Sequence, residues 1–234
     1  MMKNVIKKIL WVPVYMKKYV EYVYSCFIKV GRQSRYGHFN KNTQIQLPFE
    51  ASNIKNVFLY ACRIRHHFCL INSTGRFIVK DYSAIAPFCT VITGNHTRIV
   101  GIPCFISNLC HINDKETDII VEEDVWIGTH CTLLAGAHIG RGAIVGACSL
   151  VNKDVKPYSV VVGSPARVIA TVFTIDQIIE HEKLLYPENL RFKREYLEDL
   201  FENYYKGLKS IGVDNISNKD LDYIEHVKKS WKLD

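Results

Sequence analysis

The run VITGNHTRIVGIPCF, residues 91–105, holds the side chain best suited to move a proton in this sequence, His96. An imidazole with an unperturbed pKa of about 6.5 can accept a proton near neutral pH and hand it on within a turnover. A second histidine, His111, lies in the same stretch as a fallback base. Asp114, Glu116 and Asp118 follow and are candidates for holding an imidazole in one orientation, as any backbone carbonyl also is. A loop histidine can equally be an exposed or capping residue, and loop acids can be solvated charges. What singles these out is their setting: residues 92–118 interrupt a regular repeat, and long irregular connections in regular bodies usually carry function.

The repeat has a period of six. Written in blocks, VEEDVW IGTHCT LLAGAH IGRGAI VGACSL VNKDVK, it begins each block with an aliphatic residue: Val121, Ile127, Leu133, Ile139, Val145, Val151. Fifth places are small or modest in size: Val125, Cys131, Ala137, Ala143, Ser149, Val155. Upstream, VKDYSA IAPFCT VITGNH obeys the same rule from Val79, Ile85 and Val91. Such a period is neither the 3.6 of a helix nor the 2 of a simple strand. It calls for a short strand and a turn per block, three blocks closing a triangular coil with the leading residue pointing inward. Glycine in second place, as Gly128, Gly140 and Gly146, is expected to ease the turn. Stacked coils would pair strands in parallel and bury a column of aliphatic side chains.

These blocks, with the following VNKDVKPYSVVVGSPARVI, resemble the C-terminal half of the hexapeptide-repeat acyltransferases, the maltose, galactoside and glycan O-acetyltransferases among them. The resemblance covers about residues 76–170. It implies a mainly β fold, a left-handed parallel β-helix, whose hand is an exception to the usual right-handed crossover. It also implies that an extended loop carries a general base at a cleft between two subunits, and His96 matches that position. Acyl transfer from a thioester to an alcohol requires removal of the hydroxyl proton, while the tetrahedral oxygen needs donors, backbone N–H groups or Asn95.

The donor implied by the resemblance is acetyl-CoA, lying along the groove between coils, with no metal expected. Family contacts map onto Thr129, Gly146, Ala147, Asn152 and Lys153, and the phosphates find cations in Lys153 and Arg167, with Lys156 near in sequence. Where the family often has glycine or valine on the outer face, this chain has His130, Cys131 and His138. The leading reading is O-acetylation of a sugar or surface-polysaccharide unit. N-acetylation of an amino sugar or small amine is the alternative within the fold. A zinc hydratase, needing three converging histidines, and a non-catalytic scaffold are the remote ones.

Outside the repeat, residues 1–40 are expected as an N-terminal amphipathic helical segment, 41–170 as the β-helix domain with its first coils irregular, and 171–234 as a C-terminal helical extension. Thr174 and Gln177 form a capping-box pattern, and the helix they start should stop before Pro187. Leu197, Leu200, Phe201, Tyr204 and Leu208 recur at helical spacing, and a last helix follows Ser217. Eight cysteines without a Cys-x-x-Cys pair, and no leader-like apolar core at the front, point to a reduced, cytoplasmic compartment.

The net charge of +7 resides in one segment: residues 1–35 hold eight Lys/Arg against Glu21 alone, which argues against a nucleic-acid partner. Lysines are too frequent there for a transmembrane span. The segment is read as a helix packed on the body or a partner subunit, or as a basic helix at the inner membrane face. Flat faces and an outward loop predict closure of three copies around a threefold axis, a homotrimer.

Overall fold

The computed structural model describes residues 14–213 and 216–231. Short strands stack in three parallel faces. The first holds His38–Phe39, Val57–Leu59, Phe77–Val79, Ile119–Val121 and His138–Ile139. Gln44–Ile45, Arg63–Ile64, Ala84–Ile85, Trp126–Ile127, Ile144–Val145 and Ser159–Val162 make the second, closed by the antiparallel Arg167–Thr171. The third holds Phe49–Ala51, Phe68–Ile71, Thr90–Ile92, Thr132–Leu134 and Leu150–Val151. Chain order runs first, second, third and back to the first, so each circuit is one turn of a parallel β-helix.

Register explains where the repeat is exact. Trp126 pairs with Ile144 and Thr132 with Leu150, a spacing of 18 residues, or three blocks of six. In the first coils the spacing is 20 (His38 with Phe58) or 19 (Gln44 with Arg63), which is why the pattern drifts there. Between Val91 and Leu133 it is 42, a regular coil plus an excursion that leaves after Ile92 and rejoins at Ile119.

The leading residues form inward columns: Val79, Val121 and Ile139 are fully buried, as are Ile127, Val145 and Val91, and the fifth places beside them are closed to solvent. Burial of these side chains, at about 25 cal/mol per Å² of apolar surface, contributes most to holding the coils together.

Glycine does a different job from the one expected. The turn is made at the fourth place of seven blocks, where Tyr82, Phe88, Asp124, His130, Gly136, Gly142 and Cys148 all have φ between 56° and 79°. A left-handed residue with a side chain costs about 1–2 kcal/mol, so at five of these corners the packed coils impose the conformation. The second-place glycines instead permit close approach of neighbouring coils. A Cβ on Gly128 would lie 2.6 Å from the Ala147 backbone nitrogen, and one on Gly140 2.6 Å from that of Pro157.

Helices flank the prism. Helix α1 (residues 14–23) continues as a π-helical turn, Tyr24–Lys29, and meets the strand Phe49–Ala51 through its end, where Cys26 and Val30 are buried. Residues 1–13 of the basic segment lie outside the described residues. Helix α2 (Cys104–Cys110) belongs to the excursion. Helix α3 (Ile175–Leu185) starts with the reciprocal Thr174–Gln177 capping box and ends at Tyr186; α4 (Arg194–Tyr204) and α5 (Asn218–Trp231) follow.

The extension is bolted to the β-helix through Glu182, which is 1% exposed. Its carboxylate accepts from the Tyr158 hydroxyl (2.8 Å), Arg141 Nη1 (3.1 Å) and the Phe192 N–H (3.0 Å). Arg141 also lies over the rings of Tyr186 and Phe192. Burial, then the Glu182 charge, raises the Tyr158 phenol well above its ordinary value, so the hydroxyl stays a donor.

Candidate active site

The excursion begins as a short antiparallel hairpin in which Gly94 faces Glu116 and Asn95 faces Lys115. The next pair outward is therefore His96 and Asp114. Their side chains meet: His96 Nδ1 lies 2.7 Å from Asp114 Oδ2. Helix α2 then returns the chain to the same carboxylate. His111, its C-cap residue with φ 50°, places Nδ1 3.0 Å from the same Oδ2. The other oxygen, Oδ1, accepts the Thr97 N–H at 3.0 Å.

Hydrogen bonds from the Thr97 N–H, His111 and His96 hold the Asp114 carboxyl below its usual range, outweighing the opposing effect of desolvation. An ionised carboxylate only accepts, so each imidazole must carry its proton on Nδ1. That leaves Nε2 of His96 with a free lone pair, the tautomer a general base needs. The His96 side chain is 45% exposed and that of Asp114 18%, so the base is open to an acceptor while its partner is sheltered.

The three acids separate by role. Asp114 orients the histidines. Glu116 clasps the excursion to the preceding coil: it accepts from Ser73 N (2.9 Å), Gly75 N (2.5 Å) and Thr93 Oγ1 (3.0 Å). Desolvation pushes its carboxyl up, but these donors prevail and hold it low. A Cβ on Gly94 would sit 2.8 Å from Glu116 Cγ, so the glycine of TGNH makes room for the clasp. Asp118 pairs with the Arg76 guanidinium at 2.5 Å, which depresses its carboxyl. The clasp role was missed in the sequence, because its partners are backbone amides 41–43 residues away.

One ring nitrogen of His96, one of His111 and an Asp114 oxygen lie within 4.8 Å of one another, so this cluster could close on a divalent ion. His66 and His67 lie at another corner, at the end of the strand Arg63–Ile64, with their Nδ1 atoms 2.7 Å apart. Asn95 is exposed beside the base, and its side chain makes no hydrogen bond among the described residues.

The six positions expected to meet the donor fall on two corners. Thr129 and Gly146–Ala147 occupy successive turns between the second and third faces, joined by the Cys148 N–H to the Thr129 carbonyl (2.9 Å). Thr129 itself donates to the Pro87 carbonyl at 2.7 Å. His130 stacks on Phe88 along this corner, 4.9 Å between ring centroids, and Phe88 on His67 at 4.7 Å. Asn152 and Lys153 are exposed at the turn after the third face, the corner from which the His96 excursion also leaves. Arg167 is exposed at the start of the terminal antiparallel strand, just past a turn whose Ala166 N–H bonds to the Leu150 carbonyl. A cavity of about 340 Å³ lined by Glu122, His138, Arg141, Lys156 and Phe192 lies elsewhere, against the C-terminal helices, and does not include the base.

The chain is similar to known proteins in sequence and in fold. Residues 118–153 match the model of the bacterial transferase hexapeptide family, six repeats. A chloramphenicol acetyltransferase of Klebsiella aerogenes is 31% identical over 163 residues, covering 64% of this chain and 70% of the relative. A protein of Lysinibacillus sphaericus described as a probable macrolide acetyltransferase is 30% identical over 168 residues, covering 67% of this chain and 89% of the relative. Among solved structures, a hexapeptide-repeat acetyltransferase of Vibrio cholerae superposes with a TM-score of 0.55 at 24% identity, covering 61% of this chain and 77% of that one. A maltose O-acetyltransferase of Clostridium difficile gives 0.53 at 23% identity, covering 60% and 72%. At these identities the structural likeness speaks to the fold.

Proposed function

The chain belongs to the hexapeptide-repeat acyltransferase family, and on that premise we propose that it transfers an acetyl group from acetyl-CoA to a hydroxyl of a sugar or surface-polysaccharide unit, with His96 as general base. The observation that carries this reading is the His96–Asp114 pair on the one excursion that breaks the repeat. Nε2 of His96 takes the hydroxyl proton as the oxygen attacks the thioester carbonyl carbon. Asp114 steadies the imidazolium so formed. Backbone N–H groups and the Asn95 amide stabilise the charge that develops on the carbonyl oxygen. As the carbon–sulfur bond breaks, the imidazolium returns its proton to the departing thiolate, and ester and free thiol are released.

Two features favour a shared site. The donor positions Thr129, Gly146 and Ala147 lie on one corner, whereas Asn152, Lys153 and the base lie on the next. The loop also exposes Val100, Phe105, Leu109 and Ile112, apolar side chains that gain by burial. A threefold ring would set the loop of one subunit against a neighbour's corner, with Lys153 and Arg167 on the phosphates. The exposed apolar side chains also suit an acceptor with an apolar body beside its hydroxyl. The enzyme would work in the cytoplasm, at the inner membrane face where lipid-linked glycan units are reached.

Incubation with acetyl-CoA and a panel of free sugars, nucleotide sugars, glycan repeats, amino sugars and apolar alcohols, read by mass spectrometry, tests this. A 42 Da gain on a hydroxyl acceptor, about 42 Da being the mass of an added acetyl group in place of hydrogen, is expected. Gain on amines alone would move the assignment to N-acetylation. No gain on any acceptor, with no thiol release, would favour the scaffold reading.

A further inference from the structure

Helix α1 has a face that the β-helix does not use. Its apolar positions Met16, Tyr19, Val20, Val23 and Phe27 follow one stripe, and Lys17, Glu21 and Ser25 follow the opposite one. Among the described residues, the segment reaches the body through its end, where Cys26 and Val30 are buried. Over residues 14–22 every side chain is exposed, with Met16 at 58%, Tyr19 at 64% and Val20 at 60%. Apolar side chains left in water along one stripe gain by burial, so a cover is implied.

Charge says which cover. Of 30 Lys/Arg and 23 Asp/Glu, eight and one fall in residues 1–35, leaving 22 of each in the rest of the chain. The body is neutral and the entire excess of +7 sits on the segment that carries the uncovered stripe. Three copies of so basic a segment packed on one another would repel; an anionic surface is complementary. Tyr19, at the edge of the stripe, is an amphipathic side chain suited to a boundary between hydrocarbon and water. Lysines on the far side can reach headgroups along their flexible stems.

We propose that α1 is an interfacial anchor, lying in the surface of an anionic lipid bilayer with its Met16–Tyr19–Val20 stripe in the acyl boundary and its lysines among the headgroups. Lying on the bilayer is favoured over crossing it because Lys17, Lys18 and Glu21 fall within five residues of this helix. The anchor tethers the β-helix to the surface.

Sedimentation of the full-length protein with phosphatidylserine-containing vesicles and with pure phosphatidylcholine vesicles tests the anchor. Binding to the anionic vesicles at low salt, with release as salt screens the attraction, is expected. Lys17→Glu with Lys18→Glu should weaken it about thirtyfold or more, each lost lysine contributing a factor of about five on such a surface. Met16→Ser with Val20→Ser should weaken binding at every salt concentration. All four side chains are exposed, so the fold and thiol release from acetyl-CoA with a soluble acceptor should be unchanged. Failure to bind anionic vesicles at low salt, or equal binding to both vesicle types, would overturn the proposal. A fall in oligomer mass by light scattering in Met16→Ser with Val20→Ser, without effect on vesicles, would overturn it too and assign the stripe to a second copy. Acetyl transfer is read separately, so loss of activity in every form of the protein would count against the enzyme reading and leave the anchor to stand on the vesicle data.

Discussion

Replacing Asp114 with asparagine should harm the reaction more than removing the side chain altogether. The reason is the donor count around the carboxylate. Oδ1 accepts the Thr97 N–H at 3.0 Å, while Oδ2 accepts from both His96 and His111, at 2.7 and 3.0 Å. An amide offers one oxygen and one NH₂ group. With its oxygen on Thr97, the NH₂ faces two Nδ1 atoms and forces their protons onto Nε2, which removes the lone pair that takes the hydroxyl proton. With the amide turned over, NH₂ confronts the Thr97 N–H and the loop loses that bond. Asp114→Asn should therefore cost about as much as losing the base itself, about a hundredfold or more in kcat. Asp114→Ala leaves Nδ1 to water and either tautomer accessible, so its loss should be about tenfold. Thiol release from acetyl-CoA, followed with a chromogenic disulfide, gives kcat and the donor KM for both variants, and the KM should hold. An Asp114→Asn enzyme more active than Asp114→Ala would refute the tautomer argument.

Other outcomes follow from the same contacts. Glu116→Gln weakens the clasp on Ser73 and Gly75, and limited proteolysis should cut within residues 97–113 in the variant at neutral pH. In the wild type the carboxyls of Asp114, Glu116 and Asp118 are depressed. Their stabilising contribution is thus complete above the unfolded value of about 4.3 and is lost as pH falls through the lower folded values, so cutting should begin only below about pH 4. Glu182→Ala strands Arg141 and the Tyr158 hydroxyl and should cost about 3 kcal/mol, lowering the calorimetric midpoint by about 6–12 °C; an unchanged midpoint would show the C-terminal extension is not anchored there. Chelation with EDTA should leave turnover unchanged while added Zn²⁺ occupies the His96–His111–Asp114 cluster and inhibits; loss of activity on chelation alone would point to metal chemistry at these residues.

How much was legible depended on whether a feature is periodic. The coil is written in single residues: Val121, Ile127 and Leu133 could be set in register by spacing alone, and all three are buried as the pattern requires. The place of the excursion was legible for the same reason, as a gap in a repeat. The turn chemistry was not, because positive φ at Tyr82 and Phe88 is imposed by packed coils against local preference. Choosing Asp114 over Glu116 and Asp118 needed the hairpin register, which two residues on each side, Gly94–Asn95 and Lys115–Glu116, are too few to announce. The buried Glu182 network joins residues from Tyr158 to Phe192 through side chains, and no period marks it.

The most direct measurement is the acetyl-transfer rate of His96→Ala beside that of His111→Ala, with coenzyme A affinity measured for each by calorimetry. The two imidazoles share one carboxylate oxygen and differ in the element that carries them, the hairpin edge for His96 and the end of α2 for His111. His96→Ala should lose about a hundredfold or more in kcat with coenzyme A affinity unchanged, whereas His111→Ala should stay within about threefold of wild type. Near-normal turnover in His96→Ala, with the loss appearing instead in His111→Ala, would contradict the assignment of the base.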